Sequence, residues 1–330
     1  MLGSIVRRIS PAAYARFRQS TAGTCSYLFA TDRANAILYS LGYVATAGGS
    51  VHTSRSVDES VAYTVEVFED YKRYSGITRF HGHAAEVGPG DNCGVGLLFL
   101  ADGCDRVDLL DRFYWRRDKQ QHSRIYERLL ELHPELRTRC RSQSGPYDEL
   151  TFDGIYSYYG KRASAENFFL NSGAYDFIFS RATLEHLIDP CAALSSMARA
   201  LASGGMLMHK VDLRDHEMFS PRFHELAFLE VPGWCYSLMS RASGRPNRVL
   251  VDKYREVLEK NNLQFSILVT RLADVGDITP HCRYDEIPED LRQKSLAYIR
   301  SIKPRLATRF RSMPDEALSV SGFFVIAKKS

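Results

Sequence analysis

From about residue 79 onward, short apolar runs alternate with segments of helical period, as they do in parallel α/β units. The apolar runs predict strands over 82–87, 106–111, 154–159, 175–180, 206–211, 265–270 and 320–327. Helices are predicted over 95–100, 115–140 and 190–202, the last closed by Ser203-Gly204-Gly205. We therefore expect an α/β fold built on a largely parallel sheet.

The first 75 residues have a different, mainly helical pattern. Apolar residues recur every three or four positions from Val57 to Tyr71, and 33–39 is a second helical patch. We expect a helical extension or lid over 1–75 and the main domain over 76–330. Two stretches interrupt the strand pattern after the fifth strand, and they predict insertions over about 212–262 and 272–317.

Composition excludes some classes of partner. The net charge is +4, from 43 basic and 39 acidic residues, which gives no support for nucleic acid as the main partner. The seven cysteines are scattered without a C-x-x-C pair, so neither a zinc site nor a disulfide framework is indicated. A reducing, cytoplasmic location is the expectation. Composition says nothing about the oligomeric state.

Hydropathy bears on membrane contact. No apolar run has the roughly 18–20 residues needed to span a bilayer. The first 31 residues lack Asp and Glu but carry Arg7, Arg8, Arg16 and Arg18. This segment is either a peripheral membrane arm or a surface helix with a frayed end.

The candidate cofactor site is the run from Glu86 to Asn92, which ends the first strand and opens a helix. Gly88 and Gly90 allow a ligand to approach the backbone. A dinucleotide fingerprint requires a third glycine where this chain has Cys93. A carboxylate at Glu86 repels a pyrophosphate and attracts a sulfonium or ammonium. The loop therefore favours a positively charged nucleoside over a nicotinamide dinucleotide.

A second acid supports the same interpretation. Asp111 stands at the end of the second strand, where its carboxylate can accept hydrogen bonds from both hydroxyls of a ribose. The order along the chain is a strand, an acid, the glycine loop, a helix, a second strand and a terminal acid. A nucleoside-binding site requires these elements in this order.

Taken together, these segments resemble class I S-adenosylmethionine-dependent methyltransferases. Glu86-Val87-Gly88-Pro89-Gly90 resembles their motif I, and Asp111 resembles their ribose-binding acid. Further similar segments are Ser164–Phe168, Tyr175–Leu187 and Leu201–Leu207, so the resemblance covers about 79–211.

The resemblance implies a Rossmann-like seven-stranded sheet with helices on both faces. S-adenosylmethionine would lie across the carboxyl ends of the strands. The residues implied in its binding are Glu86, Gly88, Pro89, Gly90, Asp111, Arg112, Ala165, Glu166, Ser180 and Arg181. Glu166 would flank the adenine, and Ser180 and Arg181 would act through their backbones.

Candidate catalytic groups follow the fourth and fifth strands. A hydroxyl acceptor needs a base beside it, and His186 follows the fourth strand. Asp212 ends the fifth strand, and Asp215 could orient the imidazole of His216. The alternatives are a packing role for His186, and helix caps at the two acids with a surface His216.

The sequence contains fewer signals for the methyl acceptor than for the cofactor. Val211–His216, Phe228-Leu229 and Asn247-Arg248 loosely resemble an insertion in bacterial surface-glycan and secondary-metabolite methyltransferases. We expect O-methylation of a small-molecule or sugar acceptor, with His224, Asn247 and Arg248 as candidate contacts. Arg248 could bind a phosphate or carboxylate on that acceptor.

Three other functions are left open: a non-catalytic cofactor-binding subunit, a methyltransferase of protein or nucleic acid, and a nicotinamide-dependent oxidoreductase. A divalent metal is not expected, because no third carboxylate is in register with Asp212 and Asp215.

Overall fold

The computed structural model describes residues 18–41, 51–115, 117–141, 151–219 and 224–330. Its strands are β1 (Gly82–Val87), β2 (Cys104–Asp111), β3 (Cys140–Arg141), β4 (Thr151–Phe152), β5 (Ile155–Tyr159), β6 (Tyr175–Arg181), β7 (Leu201–Asp212), β8 (Gln264–Leu272), β9 (Gly276–Cys282) and β10 (Val320–Lys328). Every predicted strand is present, with its ends displaced by a few residues at most except at β7.

Eight of these strands form one sheet in the order β5-β2-β1-β6-β7-β10-β8-β9. Strands β5, β2, β1, β6 and β7 run parallel. Strand β10 lies antiparallel between β7 and β8. The predicted sheet of seven strands is thus extended by one edge strand, β9, which pairs antiparallel with β8. β9 lies in the second predicted insertion. The sequence did not predict this strand, because Gly276 and Pro280 within it are residues typical of turns.

The helices are α1 (Thr21–Ser40), α2 (Val51–Ser54), α3 (Val57–Ser75), α4 (Gly94–Asp102), α5 (Lys119–Leu132), α6 (Ala165–Phe168), α7 (Pro190–Ala200), α8 (Gly233–Ser240), α9 (Val251–Lys260), α10 (Glu289–Ile302), α11 (Thr308–Arg311) and α12 (Asp315–Ser319). They cover both faces of the sheet, as the resemblance implies.

Period-two alternation along the strands divides the core into two layers. On β10, Phe323 and Val325 belong to the layer beneath α7 and α9, whereas Phe324 belongs to the layer beneath α3, α4 and α5. A sheet buried on both faces holds its carboxyl edge rigid, and the predicted site lies along that edge.

Helix α3 is part of the second layer. A capping box between Ser56 and Glu59 starts it, and Gly76 ends it in the left-handed conformation. Its residues Phe68 and Tyr71 are buried against α4 and the sheet. The predicted boundary near residue 75 is therefore the end of a helix packed on the main domain.

The two insertions are both structured in part. The first insertion contains α8 and ends with α9, and α9 packs on α7 beside the sheet. The second contains β9, α10, α11 and α12.

Of the predicted basic segment, residues 1–17 lie outside the described residues. Arg18 donates a hydrogen bond to the carbonyl of Met218, and residues 21–31 belong to α1. Among the helices of the described ranges, none has both the length and the apolar content of a bilayer-spanning segment.

Candidate active site

The run from Glu86 to Asn92, here called the glycine loop, connects β1 to α4. Gly88 has a φ of +74° and Gly90 a φ of +68°, values that residues with a side chain rarely adopt. A Cβ on Gly88 would lie 2.4 Å from the side chain of Thr183, and the Gly88 amide donates to the Leu110 carbonyl. Both conformation and space therefore require glycine at position 88.

Glu86 lies directly before this turn with only 8% of its surface exposed. Its Oε2 has no hydrogen-bond partner among the described residues. Burial raises the pKa of Glu86 to about 8, although the Gly96 amide opposes the shift. A buried acid in this state gains stability when a cationic ligand approaches it.

Asp111 ends β2 on the neighbouring strand, and its carboxylate is held in place. Its Oδ1 accepts from the Phe113 amide at 2.8 Å, and its Oδ2 accepts from the Trp115 indole at 2.9 Å. Burial raises the pKa of Asp111 to about 6 against these two bonds. Each oxygen keeps a second lone pair, which a ribose hydroxyl can use.

An anchor of the glycine loop was missed in the sequence. The Asp91 carboxylate accepts from the Thr53 amide at 3.1 Å and from its hydroxyl at 2.9 Å, and it lies 3.6 Å from His122 Nε2. These bonds fix α2 against the loop. Asp91 was visible inside the motif, but nothing in the pattern connected it to residues 38 positions earlier.

Three further residues predicted for the cofactor, Glu166, Ser180 and Arg181, have polar side-chain partners within the protein. Glu166 Oε1 accepts from the amides of Ile188 and Asp189, at 3.1 and 3.3 Å, and so holds the start of α7. Ala165 is buried at the start of α6. Ser180 on β6 and His209 on β7 are joined by a 2.8 Å hydrogen bond between Oγ and Nδ1.

The Arg181 guanidinium turns to α3, where it contacts Asp70 at 2.7 Å and Glu66 at 3.6 Å. The backbone role expected of Ser180 and Arg181 is compatible with these side-chain bonds. Pro89 is half-buried in the glycine loop, and the Arg112 guanidinium lies 5.9 Å from the centre of the Phe113 ring.

Beyond the carboxyl ends of β6 and β7 lies a second set of polar groups: Glu185, His186, Asp212 and His216, here called the imidazole–carboxylate cluster. The two imidazole rings meet edge to face with centres 4.7 Å apart. His216 Nε2 lies 3.9 Å from Glu185 Oε1 and 3.9 Å from Asp212 Oδ2. Asp212 is also bound by Arg214, with its closest contact at 2.6 Å. Three of the four residues were predicted as catalytic candidates.

Burial governs the charges of this cluster. It raises the pKa of Glu185 well above the usual range, and the charge of Asp212 adds to the effect. It lowers the pKa of His186 to about 4, helped by the neighbouring His216. For Asp212, burial acts upward, but the hydrogen bonds from Arg214 leave its pKa below the usual value.

Glu185 was the member that sequence reasoning missed. It lies inside the segment Leu184-Glu185-His186, which the resemblance had singled out only for His186. A glutamate on a short turn normally faces solvent, whereas this one is 1% exposed. The signal was present in the motif, but its burial depends on the insertion that covers it.

The other predicted residues lie near this cluster or support it. Asp215 is buried and accepts from the amides of Glu217 and Phe219. The sequence suggested Asp215 as the acid that orients His216, whereas the carboxylates 3.9 Å from its Nε2 are those of Asp212 and Glu185. The imidazole of His224 contacts Glu230 at 2.8 Å, on the side facing α10.

Asn247 fixes the turn that carries Glu185 and His186. Its side-chain Nδ2 donates to the carbonyls of Leu184 and Leu187, at 2.7 and 3.2 Å. Its backbone N–H donates to the carbonyl of Glu185. Arg248 is 6% exposed, and its guanidinium donates to the carbonyls of Phe228 and Val231. Both side chains hold the insertion in place.

Helix α1 is tied to the same insertion. The fully buried Asp32 accepts from the amide of Ala242 and the hydroxyl of Ser243. Arg245 lies 3.7 Å from Asp32 and donates to the Thr31 hydroxyl at 2.7 Å. Helix α1 and the first insertion therefore form one cap.

A cavity of about 790 Å³ lies elsewhere, between α9, β8 and the second insertion. Its walls carry charges of both signs, including Asp252, Arg255, Arg283 and Asp285. No residue of the glycine loop or of the imidazole–carboxylate cluster lines it, so chemistry and not cavity size defines the candidate site.

Comparison with known proteins supplies the family. Residues 80–264, more than half of the chain, match a family described as a methyltransferase domain. No curated protein matches the chain.

Solved structures of low identity were also found. A structure described as a sarcosine dimethylglycine methyltransferase from Galdieria sulphuraria has 15% identity and a TM-score of 0.44, covering 91% of this chain and 98% of that one. The phosphoethanolamine N-methyltransferase 2 of Haemonchus contortus, solved with S-adenosylmethionine, has 13% identity and a TM-score of 0.42. That match covers 82% of this chain but only 52% of the Haemonchus chain. The YcgJ protein of Bacillus subtilis has 11% identity and a TM-score of 0.38, covering 82% and 98%.

The family match extends from the first residues before β1 into β8, and so includes both the glycine loop and the imidazole–carboxylate cluster. The resemblance found in the sequence is confirmed: the chain belongs to the methyltransferase-domain family of class I S-adenosylmethionine-dependent methyltransferases.

Proposed function

We propose that this protein transfers a methyl group from S-adenosylmethionine to a hydroxyl of a small-molecule or carbohydrate acceptor. The observation that carries the proposal is the imidazole–carboxylate cluster, which lies beyond β6 and β7 under a cap made by α1 and the first insertion. Two imidazoles and two carboxylates at the functional edge of the sheet are groups that can bind a hydroxyl and take its proton.

The glycine loop and Asp111 fit the cofactor. The Glu86 carboxyl is buried, and its Oε2 has no hydrogen-bond partner in the described part of the chain. Gly88 and Gly90 form the tight turn of the loop at positive φ, and the Asp111 carboxylate is already oriented by Phe113 and Trp115. Groups held in this way need little reorganisation on binding, which favours affinity. When bound, S-adenosylmethionine supplies a methyl group on a positively charged sulfur, which the acceptor oxygen takes up.

The remaining chemistry belongs to the protein. An acceptor hydroxyl must lose one proton, and Asp212 and His216 form a pair in the cluster that can accept it and is still partly exposed. Arg214 holds the Asp212 carboxylate in one orientation. The turn that carries His186 is held by Asn247, so the acceptor would dock on a rigid support.

A small acceptor is favoured over a polymer. Glu185 is buried and His186 is half-buried, and the first insertion contacts them through Asn247 and Gly244. The net charge of +4 gives no support for nucleic acid as the acceptor.

The test uses the whole protein and S-adenosylmethionine labelled in its methyl group. Separate incubations contain nucleotide-sugar and glycolipid pools, total protein, and RNA. We expect label in the carbohydrate or small-molecule fraction, and a slower rate of labelling by an Asp111→Asn variant. Label only in protein or RNA contradicts the acceptor class. Cofactor binding with no label in any pool favours a non-catalytic subunit.

A further inference from the structure

Glu185 is a buried carboxyl group with one oxygen left unpaired. It is 1% exposed, and its Oε1 accepts a 3.3 Å hydrogen bond from the Asp212 amide. Its Oε2 has no hydrogen-bond partner in the described part of the chain. The guanidinium of Arg214 is directed to Asp212, where it makes contacts with both carboxylate oxygens. A buried carboxylate costs considerable free energy unless a cation compensates it.

The neighbouring His186 has one nitrogen available for a cation. Its Nδ1 lies 2.7 Å from the carbonyl oxygen of Gly244. Because a carbonyl only accepts hydrogen bonds, Nδ1 must carry the proton and Nε2 must carry a lone pair. Imidazoles that bind metals are commonly oriented in this way, by donating the other N–H to a backbone carbonyl.

His216 completes the set. One potential ligand atom from each of Glu185, His186 and His216 can be chosen so that all three lie within 4.8 Å of one another. Bonds to a zinc ion are about 2.0–2.2 Å long, so modest side-chain rotations bring three such atoms to one ion.

We infer that Glu185, His186 and His216 bind one divalent transition-metal ion, with Zn²⁺ as the best match. Two imidazoles and one carboxylate suit zinc and its neighbours better than magnesium or calcium, which prefer oxygen ligands. Three protein ligands leave a position open, as in catalytic rather than structural zinc sites. The sequence predicted no metal because it considered Asp212 and Asp215, and the set inferred here uses neither.

The inference rests on the proposed function and specifies how the acceptor is activated. The acceptor hydroxyl occupies the open position, where the ion lowers the pKa of that hydroxyl. Its O–H bond breaks and the proton passes to Asp212, which is not among the ligands. The oxygen then bonds to the methyl carbon while the carbon–sulfur bond breaks, and the electron pair stays on sulfur.

The test measures metal binding without methyl transfer. Protein stripped with EDTA is titrated with Zn²⁺ by calorimetry, and Co²⁺ is added separately to record its ligand-field absorption. We expect one ion per chain and imidazole-type Co²⁺ spectra. The Glu185→Gln and His216→Ala variants should bind Zn²⁺ at least about 100-fold more weakly. The control is His133→Ala, which removes an exposed imidazole 3.3 Å from Glu135, and it should keep wild-type affinity.

Binding of S-adenosylhomocysteine by each variant shows that the fold and the cofactor site are intact. A wild-type protein that binds no Zn²⁺, or a Glu185→Gln variant that binds it as tightly as wild type, overturns the inference. Methyl transfer in excess EDTA also overturns it but leaves the proposed function standing. Tight Zn²⁺ binding without methyl transfer to any pool has the opposite meaning: the site stands and the proposed function fails.

Discussion

The two halves of the candidate site are built in different ways. The glycine loop and Asp111 lie at the ends of adjacent strands. Asp111 is oriented by its sequence neighbours Phe113 and Trp115, and the loop is anchored by Leu110 and Thr53. The imidazole–carboxylate cluster joins the loop after β6 to the loop after β7, and it is held from the first insertion by Gly244 and Asn247. A cofactor site with anchors outside the first insertion, beside an acceptor site held by that insertion, lets one change without the other. Four predictions test this independence, from the largest expected effect to the smallest.

Gly88→Ala should have the largest effect. Its Cβ would lie 2.4 Å from Thr183 in a backbone conformation that costs L-residues about 1–2 kcal/mol. Displacement of the loop should weaken S-adenosylhomocysteine binding by more than about 100-fold in calorimetry. The matched control is Gly76→Ala, which has a φ of +71° and nothing within 4 Å of the new Cβ. It should lose stability but keep ligand affinity, and equal losses of affinity in both variants would contradict the local explanation.

Asp111→Asn should come next. The amide keeps the size of the side chain but loses the charge that strengthens its bonds to hydroxyls. We expect S-adenosylhomocysteine to bind about 10- to 100-fold more weakly, since hydrogen bonds to charged groups contribute about 1.5–3 kcal/mol. Trp115→Phe removes the bond that orients Oδ2 and should give a smaller loss in the same assay. Unchanged affinity in Asp111→Asn would exclude this carboxylate from the cofactor site.

The affinity for S-adenosylmethionine, whose sulfonium makes it a net cation, should also rise with pH. Burial raises the pKa of Glu86 to about 8 in the free protein, so the group is protonated at lower pH. A cationic ligand binds the ionised form, and binding therefore strengthens as the pH rises from about 6 to 8, by up to about tenfold per unit. In the free protein, the same raised pKa makes the folded state less stable as the pH rises through that range. In the Glu86→Gln variant, measured in the same buffers, affinity should depend less steeply on pH, because the contribution of the Glu86 carboxyl is removed. A slope identical to that of wild type would exclude Glu86 as its source.

Asn247→Ala should leave the cofactor site almost unaffected. It removes two hydrogen bonds to the turn that carries Glu185 and His186, at a cost of about 1–3 kcal/mol in the free energy of unfolding. Denaturant melts should show that loss, whereas S-adenosylhomocysteine affinity should stay within about twofold. A large loss of affinity would show that the two halves of the site are coupled.

Local patterns in the sequence were sufficient to predict much of this molecule. Strand periodicity located β1, β2, β6 and β10, because a sheet buried on both faces requires apolar runs of that length. The glycine loop followed from the strand–turn–helix order, because positive φ values and close backbone approach both require glycine. Strand β9 was hidden, since an edge strand needs little apolar surface and its sequence resembles a turn.

Only the tertiary structure decided which side chains share a site. Glu185 is buried because a residue 62 positions later, Asn247, binds its turn, and no local pattern encodes that contact. Arg248 was expected to bind an acceptor, but its guanidinium donates hydrogen bonds to two backbone carbonyls of its own insertion. Local conformational preferences act between neighbours in sequence, whereas burial and the pairing of charges depend on contacts that form only when distant segments pack.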